Sequence, residues 1–154
     1  MNEESNKIFI YQPKSKEQLK NWYNQKVKDN KSDFLNFEDF YQWHSKQEKK
    51  CHYCGLKEEE SQKIVMLSIL KSNRFPLNGK ITQGRARGVW LEIDRKEPKG
   101  KYSKNNCVLS CYFCNNDKSD VFNEKEYKNF IKDRRGYLRK LGEKRKIKLN
   151  RNNF

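Results

Sequence analysis

The sequence predicts an α+β fold: a short two-stranded unit that runs straight into a helix, flanked by further helices and held by cysteine pairs. The first observation is the alternation of Val89, Leu91 and Ile93 with Trp90, Glu92 and Asp94. It has the two-residue period of a half-buried strand, so Glu92 and Asp94 share a face. The second lies just downstream of that strand. Pro98 and Gly100 open a loop, Asn106 to Ser110 reads as a return strand with Val108 packing inward, and from Cys111 to Val121 the period of two disappears and a helix begins. The third is that four of the five cysteines fall into two Cys-x-x-Cys pairs, Cys51 with Cys54 and Cys111 with Cys114.

The composition explains why such a chain needs a staple. Only 34% of the 154 residues are hydrophobic and 36% are charged, so the apolar core is small. No apolar run approaches the roughly 18 to 20 residues of a membrane span, and Met-Asn-Glu-Glu does not open like a signal peptide. These features predict a cytoplasmic protein with no membrane partner, in which paired cysteines suit zinc better than disulfides. Cys111 and Cys114 then complete the tetrahedral set begun by Cys51 and Cys54, and Gly55 permits the tight turn after the second thiolate. Cys107 is the fifth, either a small buried side chain of the second strand or a substitute for one of the four ligands.

Lys plus Arg number 35 against 20 Asp plus Glu, a net charge of +15. The excess is local. Residues 71–104 carry ten basic and three acidic side chains and residues 124–154 carry twelve and four, whereas residues 1–56 carry ten and eight. A basic surface around one motif is what phosphate neutralisation requires, while a solvated face is the plainer reading of any charge run.

Along the chain, Ile8 to Tyr11 is a strand or an ordered arm. Ser15 and Gln18 have capping-box spacing ahead of a helix with Leu19, Trp22, Tyr23 and Val27 on one face, and a break comes at residues 29–32. Asn36 caps a second helix bearing Phe37, Phe40, Tyr41 and His44, aromatics that form core at this spacing or stack on bases. Lys57 to Ser72 reads as an amphipathic helix through Ile64, Val65, Leu67 and Leu70. Residues 73–88 hold Gly79, Gly84 and Gly88 among Arg74, Lys80, Arg85 and Arg87, a basic loop that either enters a DNA groove or lies solvated on the surface. Asn123 and Glu126 form another capping box before a helix through Tyr127, Phe130, Ile131, Leu138 and Leu141, weakened at Gly136, and a basic tail closes the chain.

The run Asp94-Arg95, loop, Asn106 and Cys111-x-x-Cys114-Asn115-x-x-Lys118 resembles the HNH endonucleases and their ββα-metal motif, with Arg95 standing where that family has a histidine base. The likeness covers roughly residues 51–54 and 88–126. It implies a zinc-stapled ββα-metal core with flanking α-helices, with residues 1–50 as an N-terminal helical segment, 51–141 as a zinc-bound nuclease core and its C-terminal helix, and 142–154 as a basic tail. It further implies that Asp94 and Asn115 face one another and hold Mg²⁺ or a similar hard ion, that Asn106 shapes the loop, and that Arg95 clamps the scissile phosphate. Arg95 cannot be a base, because its guanidinium stays charged. His44, Tyr102 and Glu92 are the candidates for that role, His52 being part of the cysteine knuckle. Catalysis is thus expected from Asp94, Arg95, Asn106, Asn115 and His44, and DNA binding from Arg74, Lys80, Arg85, Arg87 and Lys118.

The resemblance implies a metal-dependent endonuclease acting on double-stranded DNA, as a type II restriction enzyme or as a phage or mobile-element (homing) nuclease. A zinc-stapled nucleic-acid-binding module without catalysis is the other reading. An enzyme that reads a palindrome is a two-fold homodimer, although no dimer seam stands out in the sequence.

Overall fold

The structure, a computed structural model, describes residues 9–133. Helix α1 spans Lys16–Lys28, α2 Phe37–Lys46 and α3 Glu58–Met66; strands β1 (Glu92–Arg95) and β2 (Cys107–Ser110) precede α4, Tyr112–Lys118. Helical backbone resumes at 124 and runs to 133. The strands pair antiparallel with Glu92 opposite Ser110, Ile93 opposite Leu109, Asp94 opposite Val108 and Arg95 opposite Cys107. This is the expected α+β order. No helix among the described residues is long and apolar enough to cross a membrane.

Local chemistry accounts for the helix starts. Ser15 Oγ accepts from the Gln18 amide at 3.1 Å while Gln18 Oε1 accepts from the Ser15 amide at 2.8 Å, which satisfies two orphan donors at once. Asn36 Oδ1 caps α2 through the Asp39 amide, and Asn123 and Glu126 exchange the same reciprocal bonds. Helices α1 and α2 pack through rings: Trp22 and Tyr23 stack on Phe40, and Phe34 meets it edge-on. Phe40 has no exposed surface. These aromatics are core, and they join Leu91, Ile93, Leu109, Tyr127 and Ile131 in one apolar cluster, so the N-terminal helices share their core with the strands. Gly136, Leu138, Leu141 and the basic tail lie outside the described residues.

Two elements are shorter than their patterns predict. The helix expected over 57–72 ends at Met66, where Ser68 turns left-handed (φ 57°) and the amides of Ser68 and Ile69 return to Val65 O and Ile64 O. This closing pattern satisfies the last carbonyls. Beyond it Ile69 and Leu70 are 62% and 48% exposed, so no apolar surface rewards another turn. The strand expected from Val89 pairs only from Glu92, because α3 takes the preceding backbone. Ser61 Oγ donates to Gly88 O, Gln62 Nε2 to Val89 O, and Glu58 Oε2 accepts from the Leu91 amide at 2.8 Å.

The same α3 face orders the N-terminal arm. Tyr11 Oη donates to Glu58 Oε1, Gln62 exchanges two bonds with the backbone of Gln12, and Trp90 Nε1 donates to Gln12 O. Residues 9–13 are thus an arm and not a strand. Glu58, Ser61 and Gln62 are nearly inaccessible polar side chains, each occupied by backbone that has no ladder. Glu58→Ala should therefore leave the buried Leu91 amide unpaired and destabilise the fold by about 1–3 kcal/mol, read as a shift of the urea midpoint at unchanged slope.

Candidate metal and phosphate site

Cys51 and Cys54 bracket a tight turn in which the Gly55 amide returns to Cys51 O and Gly55 adopts φ 82°. Cys111 is the N-cap of α4, its sulfur accepting from the Cys114 amide. The two pairs converge, with the four Sγ atoms all within 4.8 Å of one another and those of Cys54 and Cys111 at 3.7 Å. Thiolates bound to zinc at ~2.3 Å stand roughly 3.8 Å apart along a tetrahedral edge, so this donor set fits a closed, four-thiolate metal centre. Cys107 lies apart from it, buried in β2, where desolvation pushes its thiol up to about 12. It is a packed side chain and takes no place among the four.

The cluster fixes where α4 starts and hence which residues meet β1. Glu92 and Asp94 project from one side of the strand, and Asn115 and Lys118, three apart on the helix, face them. Asn115 Nδ2 donates to Glu92 Oε2 at 2.5 Å, and Lys118 Nζ lies 3.3 and 3.2 Å from Asp94 Oδ1 and Oδ2. Asp94 and Asn115 do not touch: Asn115 meets Glu92, and Asp94 meets Lys118. Both nevertheless line one cleft of about 270 Å³, together with Arg87, Ile93, Arg95, Pro98, Tyr102, Asn116, Ser119 and Asp120.

Lys118 is the clearest departure from expectation. Its side chain is wholly buried, bound to Asp94 and, at 2.8 Å, to Arg95 O, so it cannot reach a DNA phosphate. A cation survives there because a carboxylate and a carbonyl replace its water. Tyr53, a residue the sequence did not single out, also reaches this spot: its hydroxyl donates to Asp94 Oδ2 at 2.6 Å, and burial, with Asp94 alongside, pushes its pKa well above the ordinary phenol value. Nothing in the spacing of the knuckle announces that contact.

Glu92 is not free to act as a base. Arg87 grips it twice, at 2.5 and 2.9 Å, and lies 4.9 Å over the Tyr112 ring. Burial alone would depress the Arg87 pKa, but the Glu92 pairing outweighs it and the net shift is upward. Arg95, which lines the cleft, donates to Gly100 O at 2.9 Å and stacks over Tyr102 at 4.9 Å. Burial raises the Tyr102 pKa, so this hydroxyl keeps its proton at neutral pH.

Asn106 sits outside the cleft lining and ties the connection between the strands. Its Oδ1 accepts from the Glu97 amide and its Nδ2 donates to Glu97 O and Lys101 O. Gly100 is required beside it, since a Cβ there would come 2.9 Å from Asn106 Nδ2. His44 also lies away from the cleft lining, 7% exposed among Phe40 and Trp43 with Lys49 against its ring. Burial, with Lys49 and Lys14 nearby, lowers its pKa to about 3, which leaves it neutral. In the basic loop, Arg74 is exposed and reaches Asn116 at 3.2 Å, Lys80 is exposed, and Arg85 is half-buried on Phe75 O. Phe75, packed on Tyr112, anchors this loop to α4.

Lys118→Met should leave the buried Asp94 carboxylate without its counter-ion, held by Tyr53 alone, and destabilise the protein by about 3–5 kcal/mol. Denaturant unfolding of the variant against the parent measures it, and Lys118→Met with Asp94→Leu should recover most of the loss.

No family model matches this chain, and no curated protein matches it. Among solved structures it is similar to the rare-cutting HNH restriction endonuclease PacI, whose structure is described for the way that enzyme perturbs DNA; the TM-score is 0.54 at 21% identity, covering 84% of each chain. The antiparallel β1–β2 pair, the cysteine-capped α4 and the helices around them thus have the fold of that HNH restriction endonuclease.

Proposed function

We propose that this chain is a metal-dependent endonuclease that hydrolyses phosphodiester bonds in double-stranded DNA. The observation that carries the reading is the convergence of Asp94, Asn115 and Arg95 on one cleft, which Arg87 of the basic loop also lines. Asp94 and Asn115 are the residues that would hold Mg²⁺ or a similar hard ion, both offering the oxygen ligands such ions prefer. Bound there, the ion supplies Lewis acidity toward the phosphate oxygens and the leaving group.

The remaining work falls to this chain's own groups. Arg95, permanently charged and pre-oriented by Gly100 O and the Tyr102 ring, stabilises negative charge developing on the phosphate. Glu92 holds the amide nitrogen of Asn115, which leaves the amide oxygen for the cleft. Asn106 keeps the 97–101 connection in the shape that presents Arg95. Arg74 and Lys80 extend a basic surface away from the cleft for phosphates of the duplex, with Arg85 and Arg87 nearer to α4. The likeness to PacI, a restriction endonuclease, supports a restriction role, and the setting we propose for it is that of a type II enzyme, a homodimer on a palindromic site in the cytoplasm.

The four thiolates form the structural zinc site. Metal analysis of the purified protein should give one zinc per chain, and Cys51→Ser should lower both zinc content and thermal midpoint, since the site ties residues 51–54 to the start of α4.

Cleavage of plasmid DNA with Mg²⁺ or Mn²⁺, against an EDTA control, tests the activity. Asn115→Ala, and Asp94→Leu combined with Lys118→Met so that no buried ion is stranded, should abolish cutting while mobility-shift binding persists, and Arg95→Ala should slow it about 10²–10³-fold, the scale of losing one donor to a developing oxyanion. A parent that binds DNA but never cuts it would instead identify a non-catalytic binding module.

A further inference from the structure

Tyr53 lies between the two cysteines of the knuckle, yet its hydroxyl touches the carboxylate at the floor of the cleft. It donates to Asp94 Oδ2 at 2.6 Å, while Lys118 Nζ donates to Oδ1 at 3.3 Å and lies 3.2 Å from Oδ2. The two donors grip the carboxylate from different groups and so fix its orientation in the cleft. Both donors hang from the thiol cluster. Tyr53 is suspended between Cys51 and Cys54, and Lys118 closes the short helix that Cys111 caps and Cys114 enters. The Tyr53 ring is further braced edge-on against Tyr127, at 5.0 Å between centroids.

We propose that the Tyr53 hydroxyl is a positioning group that couples the four-thiolate site to the divalent ion of the cleft, by fixing the orientation of the Asp94 carboxylate. The inference rests on the nuclease reading, in which Asp94 is an ion ligand. Partners that orient a ligating carboxylate matter to the metal almost as much as the ligand does. Without the hydroxyl the carboxylate keeps only Lys118 and is free to turn about that one ammonium. Tyr53 is thus outside the reaction itself.

The test is Mn²⁺ binding to the zinc-loaded protein, followed by the electron paramagnetic signal of free Mn²⁺, for the parent, Tyr53→Phe and Asp94→Ala. Tyr53→Phe removes one oxygen and keeps the ring on Tyr127. It should retain zinc by metal analysis yet bind Mn²⁺ about tenfold more weakly or worse, and its half-saturating Mn²⁺ for cleavage should rise by the same factor while the rate at saturation stays near the parent's. Equal Mn²⁺ affinity in parent and Tyr53→Phe overturns the coupling and leaves the nuclease reading standing. A parent that binds Mn²⁺ no better than Asp94→Ala overturns the ion site, and the coupling with it. Should Tyr53→Phe lose its zinc, the parent alone still decides: its assigned Tyr53 Cζ resonance should move when Mg²⁺ is added, and a resonance that stays in place refutes the proposal.

Discussion

The meeting of four cysteine side chains at one point is the constraint on which the rest of this structure depends. The apolar fraction is low and the sheet has two strands of four residues each, so burial of β1 and β2 alone would not hold them in register. Joining residues 51–54 to 111–114 sets the position of α4 against β1 at its first turn. It also brings the knuckle backbone onto β2, where the His52 amide donates to Leu109 O. A helix of seven residues has little stability of its own. Its orientation comes from the sulfur cap at Cys111 and from Lys118 seated beneath β1.

Polar groups perform structural tasks that apolar ones perform in larger domains. The buried face of α3 combines Glu58, Ser61 and Gln62 with Val65, and two backbone segments that lack a strand partner, at Gln12 and at 88–91, are satisfied there. This arrangement is directional. A leucine at any of the three polar positions would add apolar area and orphan a buried donor or acceptor. The left-handed turn at Ser68 then releases the chain into the basic loop, which returns through Phe75 and Val89 to the Val65 side chain.

Across the cleft the charges form two rows. Arg87, Glu92 and Asn115 make one and Tyr53, Asp94 and Lys118 the other, and in both an acidic side chain of β1 is held from two sides. Neither carboxylate is left to find its own rotamer, which suits a site that must present ligands at a fixed separation. Arg95 alone among the charged side chains of β1 points its guanidinium along the loop, braced on Gly100 O and Tyr102. The loop in turn is tied by Asn106 and, through backbone bonds between Tyr102 and residues 31–33, to the turn that joins α1 and α2.

The sequence by itself determined the order of elements, the three capped helix starts, the strand pair and the membership of the cysteine cluster. Each of these is written in short-range terms: a period of two, Ser or Asn three residues before Gln, Asp or Glu, and cysteines three residues apart. The tertiary structure decided what faces what. That α3 buries a polar face, that Glu92 and not Asp94 meets Asn115, that Lys118 points inward and Tyr53 reaches the cleft all result from how α3, α4 and the knuckle are rotated against β1. Such rotations are set by contacts between residues 23 to 41 positions apart, and no pattern confined to one element carries them. A lysine next to a metal motif has the same local appearance whether it greets a phosphate or neutralises a buried aspartate. Only desolvation on folding distinguishes the two, and desolvation is a property of the packed chain.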